Sequence, residues 1–326
     1  MDDVVTDTIR IVRYGELRPC RTAFIDAHTP GSDRKENFTI IGGGVSEAAD
    51  QFVHIRETPG FNIGAAGQPP HCRNSLHAHR TAEVFFVQSG RWRFFWGRRG
   101  DAGEVTLEEG DVFDIPTGIF RGFENVGTDY GLIVSVLGGD DAGGGVIWAP
   151  QVIEEARAHG LVLSASGRLY DTRRGEHLPP DQHPIEPMSE AETSTYPELP
   201  VEAVVPRFVA RRLDIQALGA RRAASVIGGP GAMIVDRPGF TLEYAGRDAL
   251  PAAPSASPTP DVLIAHRGHW RIAAAARDEL LGPGDVALVT AGTPYVVAAT
   301  MAGEGGLFRV RPTADPAGPT SGLGTA

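Results

Sequence analysis

Asp111-Val112-Phe113-Asp114-Ile115-Pro116-Thr117-Gly118, which follows a turn glycine at Gly110, recurs as Asp285-Val286-Ala287-Leu288-Val289-Thr290-Ala291-Gly292 after Gly284, in the same register. Upstream, Glu83 lies seven residues before Gly90, and Asp261 lies seven before Gly268. Both halves therefore carry the order acidic residue, strand, turn glycine, strand, Gly-Asp, strand, turn glycine. Two related β-domains are the economical reading.

The residues around this repeat agree. Short runs rich in Val, Ile, Phe and Trp span 8–12, 38–41, 52–55, 83–88, 91–96, 111–115, 120–125 and 131–137, and the chain's 41 glycines supply turns between them. Regular short strands with frequent turns predict an all-β antiparallel sandwich or barrel. The clearest helix is 150–159, with Pro150 in its first turn, Val152, Ile153 and Ala156 on one side and Gly160 as its stop. Six prolines between 179 and 200 read as an interdomain linker. This divides the chain into an N-terminal domain over 1–178, a second domain over 201–311 in which strand-like runs resume from Phe208, and a disordered tail over 312–326.

Composition removes several classes of function. The 326 residues are 41% hydrophobic and 22% charged, enough for two compact domains. A formal charge of −11 argues against nucleic acid or an anionic membrane as partner. Lys35 is the only lysine, and its neighbours fit neither a phosphate-binding loop nor a Schiff-base site. Cys20 and Cys72 are too few for a disulfide scaffold, and the first residues have neither the basic start nor the apolar core of a signal peptide, so the cytoplasm is the expected compartment.

Four of the ten histidines, His54, His71, His77 and His79, fall between residues 54 and 79. His77 and His79 share one face of a strand by period-two counting, and Glu83 follows after a short break. Two neutral imidazoles and a carboxylate form a ligand set for Fe(II), Mn(II) or a similar ion, with positions left open for substrate and O₂ or water. Glu83 and Phe85 share a face of the next strand, and Arg121, Phe123 and Asn125 a face of another. A pocket formed by these faces combines a cation site with aromatic walls, where Phe85, Phe123 and Arg121 would meet an anionic, aromatic substrate. Asn125 reads as a turn or strand-end anchor, and His266 and His269, either side of Gly268, as solvated surface residues.

These residues resemble the cupins, whose first motif runs His-x-His, three or four residues, Glu, six residues, Gly. His77, His79, Glu83 and Gly90 match it, and Gly110, Pro116, Gly118 and Asn125 match the second motif. Arg121 stands where that family usually has its last histidine ligand. In the second half the ligand positions fall on Ser255, Ser257, Asp261 and Tyr295, which cannot assemble a useful site. The resemblance implies a bicupin: two double-stranded β-helix (jelly-roll) barrels with a short interdomain helix, a metal in the first and none in the second, paired as a homodimer.

An arginine about 5 Å from a divalent ion is repelled by roughly 6 kcal/mol at an effective dielectric of about 20, so something anionic must offset it. Three arrangements are open: Arg121 binds an anionic substrate that also meets the ion, pairs with Glu83 in a metal-free pocket, or turns outward while His71 or His54 completes the site. The first is favoured. The expectation is a mononuclear non-haem iron dioxygenase acting on a small molecule, with His77, His79 and Glu83 as ligands, Arg121 as the catalytic orienting group, and Mn, Ni or Zn as other candidate ions. A non-oxidative isomerase, lyase or cyclase and a non-catalytic binding barrel are the alternatives.

Overall fold

Alternation of buried and half-exposed residues organises the chain into two sheet pairs, as seen in a computed structural model that describes residues 8–139, 145–236, 238–275 and 277–313. The N-terminal barrel packs a seven-stranded sheet, centred on Glu83–Ser89, Gly131–Gly138 and Phe61–Gln68, against a five-stranded sheet holding Arg73–Ala78, Arg121–Asn125 and Arg91–Trp96. The C-terminal barrel repeats this with a six-stranded sheet around Asp261–Arg267 and Gly306–Pro312 and a three-stranded one around Trp270–Ala274. Arg91–Trp96 shows the logic: Trp92, Phe94 and Trp96 point into the core while Arg91, Arg93 and Phe95 stay on the outer face. The inward aromatics meet Phe85, Phe113 and Phe123, with Phe94 5.3 Å from Phe85 and 5.5 Å from Phe123 between ring centres.

Each barrel borrows an edge strand from the opposite half. Ile9–Val12 pairs antiparallel with Val286–Val289, at the edge of the C-terminal sheet, and Val209–Ala210 pairs with Val112–Ile115, at the edge of the N-terminal one. The sequence division at 178 and 201 therefore does not follow the hydrogen bonding, because an edge strand is claimed by whichever sheet leaves an open ladder beside it. The repeated Gly-Asp turns fasten the exchange. Asp111 accepts from Arg211 Nη1 at 2.7 Å and from the Arg212 amide at 2.8 Å. Asp285 accepts from Arg13 Nη1 at 3.0 Å and from the Tyr14 amide at 2.9 Å. Gly110 and Gly284, at φ of 87° and 86°, supply the left-handed turn that presents these carboxylates.

Three sequence expectations change. The 179–200 stretch is docked on the N-terminal barrel rather than free: Trp96 Nε1 donates to the Leu199 carbonyl at 2.7 Å, and Tyr196 stacks on Phe120 with ring centres 4.5 Å apart. The strand expected from Phe208 is only Val209–Ala210, set between two helices, Val201–Phe208 and Arg212–Gly219, each burying one side against the barrels. His266 is buried between the halves instead of solvated, with its ring 5.6 Å from Phe308, and burial pulls its pKa down to about 4. Pro312 ends a strand, and the tail expected beyond it lies outside the described residues from 314 onward. Helix Pro150–Ala158 lies where its proline and apolar face place it.

Candidate metal centre

His77 is the penultimate residue of Arg73–Ala78, His79 follows that strand, and Glu83 opens the next one. Strand alternation aims all three inward, and one potential donor atom from each lies within 4.8 Å of the others. Arg121 sits directly across the ladder from His77, and Trp148 pairs with His77 on the other side. His77, His79, Glu83 and Arg121 are all buried.

The imidazoles are held in one orientation by backbone carbonyls. His77 Nδ1 lies 2.8 Å from the Ser75 carbonyl and His79 Nδ1 3.0 Å from the Gly145 carbonyl. A ring that donates Nδ1–H to a carbonyl keeps its lone pair on Nε2, the form a metal ion requires. Burial, reinforced by the Arg121 charge, holds His77 well below the usual histidine range and His79 down to about 4. Both rings are therefore neutral at physiological pH. His79 Nε2 lies 3.7 Å from Glu83 Oε2.

Arg121 departs from the favoured expectation. Its Nη2 donates to Glu83 Oε2 and its Nη1 to the His77 carbonyl at 3.2 Å, so the guanidinium lies behind the carboxylate and is not part of the cavity wall. The outward-turned arrangement is excluded by the same contacts. His71 is largely exposed, and His54 is taken up by the Thr39 carbonyl and the Arg18 amide. Phe85 and Phe123 do line the cavity, beside His77, His79, Glu83 and Trp148. Its volume is about 70 Å³, under half of the roughly 150 Å³ that accommodates benzene in a protein core. An aromatic ring does not fit there, because Phe85 and Phe123 fill the barrel against Phe94 and Trp92.

Several supporting groups had no signature in the sequence. Lys35, fully buried, donates to Asp26 and, at 2.9 Å, to Asn74 Oδ1; Asp26 in turn accepts the Ser75 amide at 3.0 Å. This pair braces the strand that carries His77. Glu47 accepts from Trp148 Nε1 at 2.6 Å and from the Ile25 amide at 2.8 Å, while burial raises its pKa to about 8. Trp148 packs on His77 with ring centres 5.5 Å apart. Asn125 is the expected anchor, donating to the Gln68 and Asp129 carbonyls at 2.8 Å each.

The C-terminal counterpart is closed by its own side chains. Tyr295 donates to Asp261 Oδ2, and Arg311 grips the same carboxylate with two nitrogens. The acidic residue of each barrel is thus hydrogen-bonded to the residue at the last-ligand position, Arg121 in one and Tyr295 in the other.

Comparison with known proteins agrees with this architecture. Residues 67–137 match the cupin domain family, and no curated protein matches the chain significantly. Among solved structures, the formate complex of Lactobacillus farciminis oxalate decarboxylase is similar at a TM-score of 0.56 and 11% identity, covering 94% of this chain and 87% of that one. A mutant of Bacillus subtilis oxalate decarboxylase matches at 0.53 and 11%, covering 94% and 78%. A putative glyoxylate-induced protein from Pseudomonas aeruginosa matches at 0.53 and 11%, covering 94% and 90%. The family match thus falls within the first barrel, and the chain as a whole shares the two-barrel, bicupin fold of these structures.

Proposed function

We propose that the N-terminal barrel is a mononuclear metal centre, with His77, His79 and Glu83 as ligands, that transforms a small carboxylate. The observation that carries this reading is the convergence of two backbone-anchored, neutral imidazoles with a buried carboxylate in one cavity. Arg121 occupies Oε2 of Glu83, and no hydrogen bond to Oε1 occurs among the described residues, so the carboxylate keeps one oxygen for an ion. The donor set fits a divalent ion, and three ligands without a fourth favour Fe(II). Bound there, such an ion would supply Lewis acidity and, if iron, a place to bring O₂ beside the substrate.

The chain's own residues set the rest. Arg121 cancels the charge of Glu83, which leaves a dication uncompensated and makes an anionic substrate the natural partner. Arg121 thus acts as a positioning residue on Glu83. Phe85, Phe123 and Trp148 supply apolar parts of the cavity wall, and its volume admits only a few heavy atoms at the reacting end. The reaction class favoured is oxygenation. Protein loaded anaerobically with Fe(II) should consume O₂ in step with a short-chain carboxylate, and His77→Ala should abolish this. Turnover without O₂ uptake would instead assign an isomerase, lyase or cyclase.

The Arg121–Glu83 contact favours one second reading, a metal-free binding barrel in which the ion pair closes the site. There His77→Ala leaves ligand binding intact, whereas the metal reading predicts its loss.

A further inference from the structure

Beside the three candidate ligands, the seven-stranded sheet carries a second polar patch into the same cavity. Thr39, Gly64, Ser135 and Phe85 lie in one row across four neighbouring strands, and all four line the cavity. Gly64 keeps the gap between the two hydroxyl residues open, since a Cβ there would stand 3.1 Å from Ser135 Oγ. Thr39 and Ser135 are buried, and neither hydroxyl makes a hydrogen bond among the described residues. One row further along, Asn37 pairs with Ala66, and its Nδ2 is buried without a partner. So is Oε1 of Gln51, which lines the cavity from the segment ahead of Val53–Ile55. Buried polar atoms are normally satisfied, so four of them around one cavity point to a polar occupant.

We infer that the substrate is a short hydroxy- or keto-monocarboxylate, whose carboxylate meets the ion and whose hydroxyl or carbonyl oxygen is held by Thr39 and Ser135, with Asn37 and Gln51 beside them. The inference rests on the metal reading for the carboxylate and adds the residues that select the other end. Charge fixes the class of that end. The only ionisable side chains among the described lining residues are His77, His79 and Glu83, and Arg121 stands behind Glu83. The patch therefore offers hydroxyls and amides, which match an uncharged oxygen and would leave a second carboxylate without a counter-charge. Length fixes the size. Ser135 opposes Phe85, and Glu83 lies two residues along the same strand, so Glu83 and Ser135 are diagonal neighbours on one face. Such neighbours stand about 7–8 Å apart, a span that a two-carbon acid bridges from the ion to a hydroxyl, in keeping with the small volume of the cavity.

The test is calorimetric titration of Mn(II)-loaded protein with acetate and with glycolate, which is acetate carrying a hydroxyl. The wild type is expected to bind glycolate about tenfold more tightly than acetate, the worth of one or two hydrogen bonds. Thr39→Val and Ser135→Ala each remove a hydroxyl that has no partner within the protein, and each is expected to lower that ratio by about threefold. The double variant should bring it close to one. Binding of neither acid, equal affinities in the wild type, as when the patch holds only water, or an advantage that survives the double variant, as when the ion itself chelates the glycolate hydroxyl, would overturn the inference and leave the metal reading standing. Mn(II) binding that His77→Ala does not weaken would overturn the metal reading and this inference with it.

Discussion

At residue scale, the position that distinguishes this barrel is Arg121. Where a fourth ligand would stand, the guanidinium instead holds Glu83 and the His77 carbonyl. Two substitutions separate its effects. Arg121→Leu leaves Glu83 buried without a partner, which costs about 3–5 kcal/mol, visible as a lowered denaturation midpoint. Arg121→His places a donor beside three existing ones. Groups that merely hydrogen-bond a ligand are worth about 10–100-fold in metal affinity, so a tighter Mn(II) or Zn(II) constant of at least that order is expected by titration. Unchanged affinity in Arg121→His would mean that a side chain at position 121 does not reach the ion held by the three residues.

Glu47 and His79 set the pH dependence of stability from opposite sides. Glu47 titrates near 8 in the folded chain against 4.5 for an ordinary glutamate, so between these values the folded state holds the extra proton. Its contribution is complete below 4.5 and is lost as pH rises through about 8. His79, lowered to about 4 from 6.5, behaves in reverse: its contribution is present above 6.5 and lost as pH falls through about 4. Melting temperatures measured from pH 5 to 9 should therefore decline on the alkaline side for the wild type. Glu47→Gln should lower stability overall, through a lost acceptor, yet flatten that alkaline slope.

At the scale of elements, the Gly-Asp turns recognised as a sequence repeat are the joints between the halves. Asp285 receives Arg13, the Tyr14 amide and the Gly282 amide, so Asp285→Ala strands two backbone donors and a guanidinium. A loss of about 1–3 kcal/mol is expected, and a double-mutant cycle with Arg13→Ala should show strong coupling. Additive effects would mean the joint carries no energy. Strands such as Arg91–Trp96 and Glu83–Ser89 were legible because large apolar residues alternate with polar ones or run together between turn glycines. Phe61–Gln68 was not, since Gly64, Ala65 and Ala66 break the signal. Those same residues line the cavity, so the feature that hides the strand is the one that makes room for a ligand. The helices after the linker were equally hidden, being only eight residues each, with Pro206 inside the first.

At the scale of the whole molecule, exchange of edge strands makes each barrel depend on the other, and heat should unfold the chain in one cooperative transition rather than two. The duplicated architecture and the His77, His79, Glu83 and Arg121 group could be read from local spacing. The reciprocal strand exchange, the burial of His266 and Lys35, and the backing of His77 by Trp148 and Glu47 could not. Each arises from contacts between residues far apart in sequence, for which no local pattern exists. The two copies differ at the corresponding place: Tyr295 and Arg311 saturate Asp261 in one barrel, while the other keeps two neutral imidazoles beside a cavity.

The most direct test of the central claim is elemental analysis of protein purified without a metal-affinity step, for wild type beside His77→Ala and Glu83→Ala. The account predicts close to one equivalent of iron, manganese, nickel or zinc in the wild type and its loss in both variants. No metal in the wild type, even after anaerobic loading with Fe(II), would contradict it and leave a barrel closed by the Arg121–Glu83 pair.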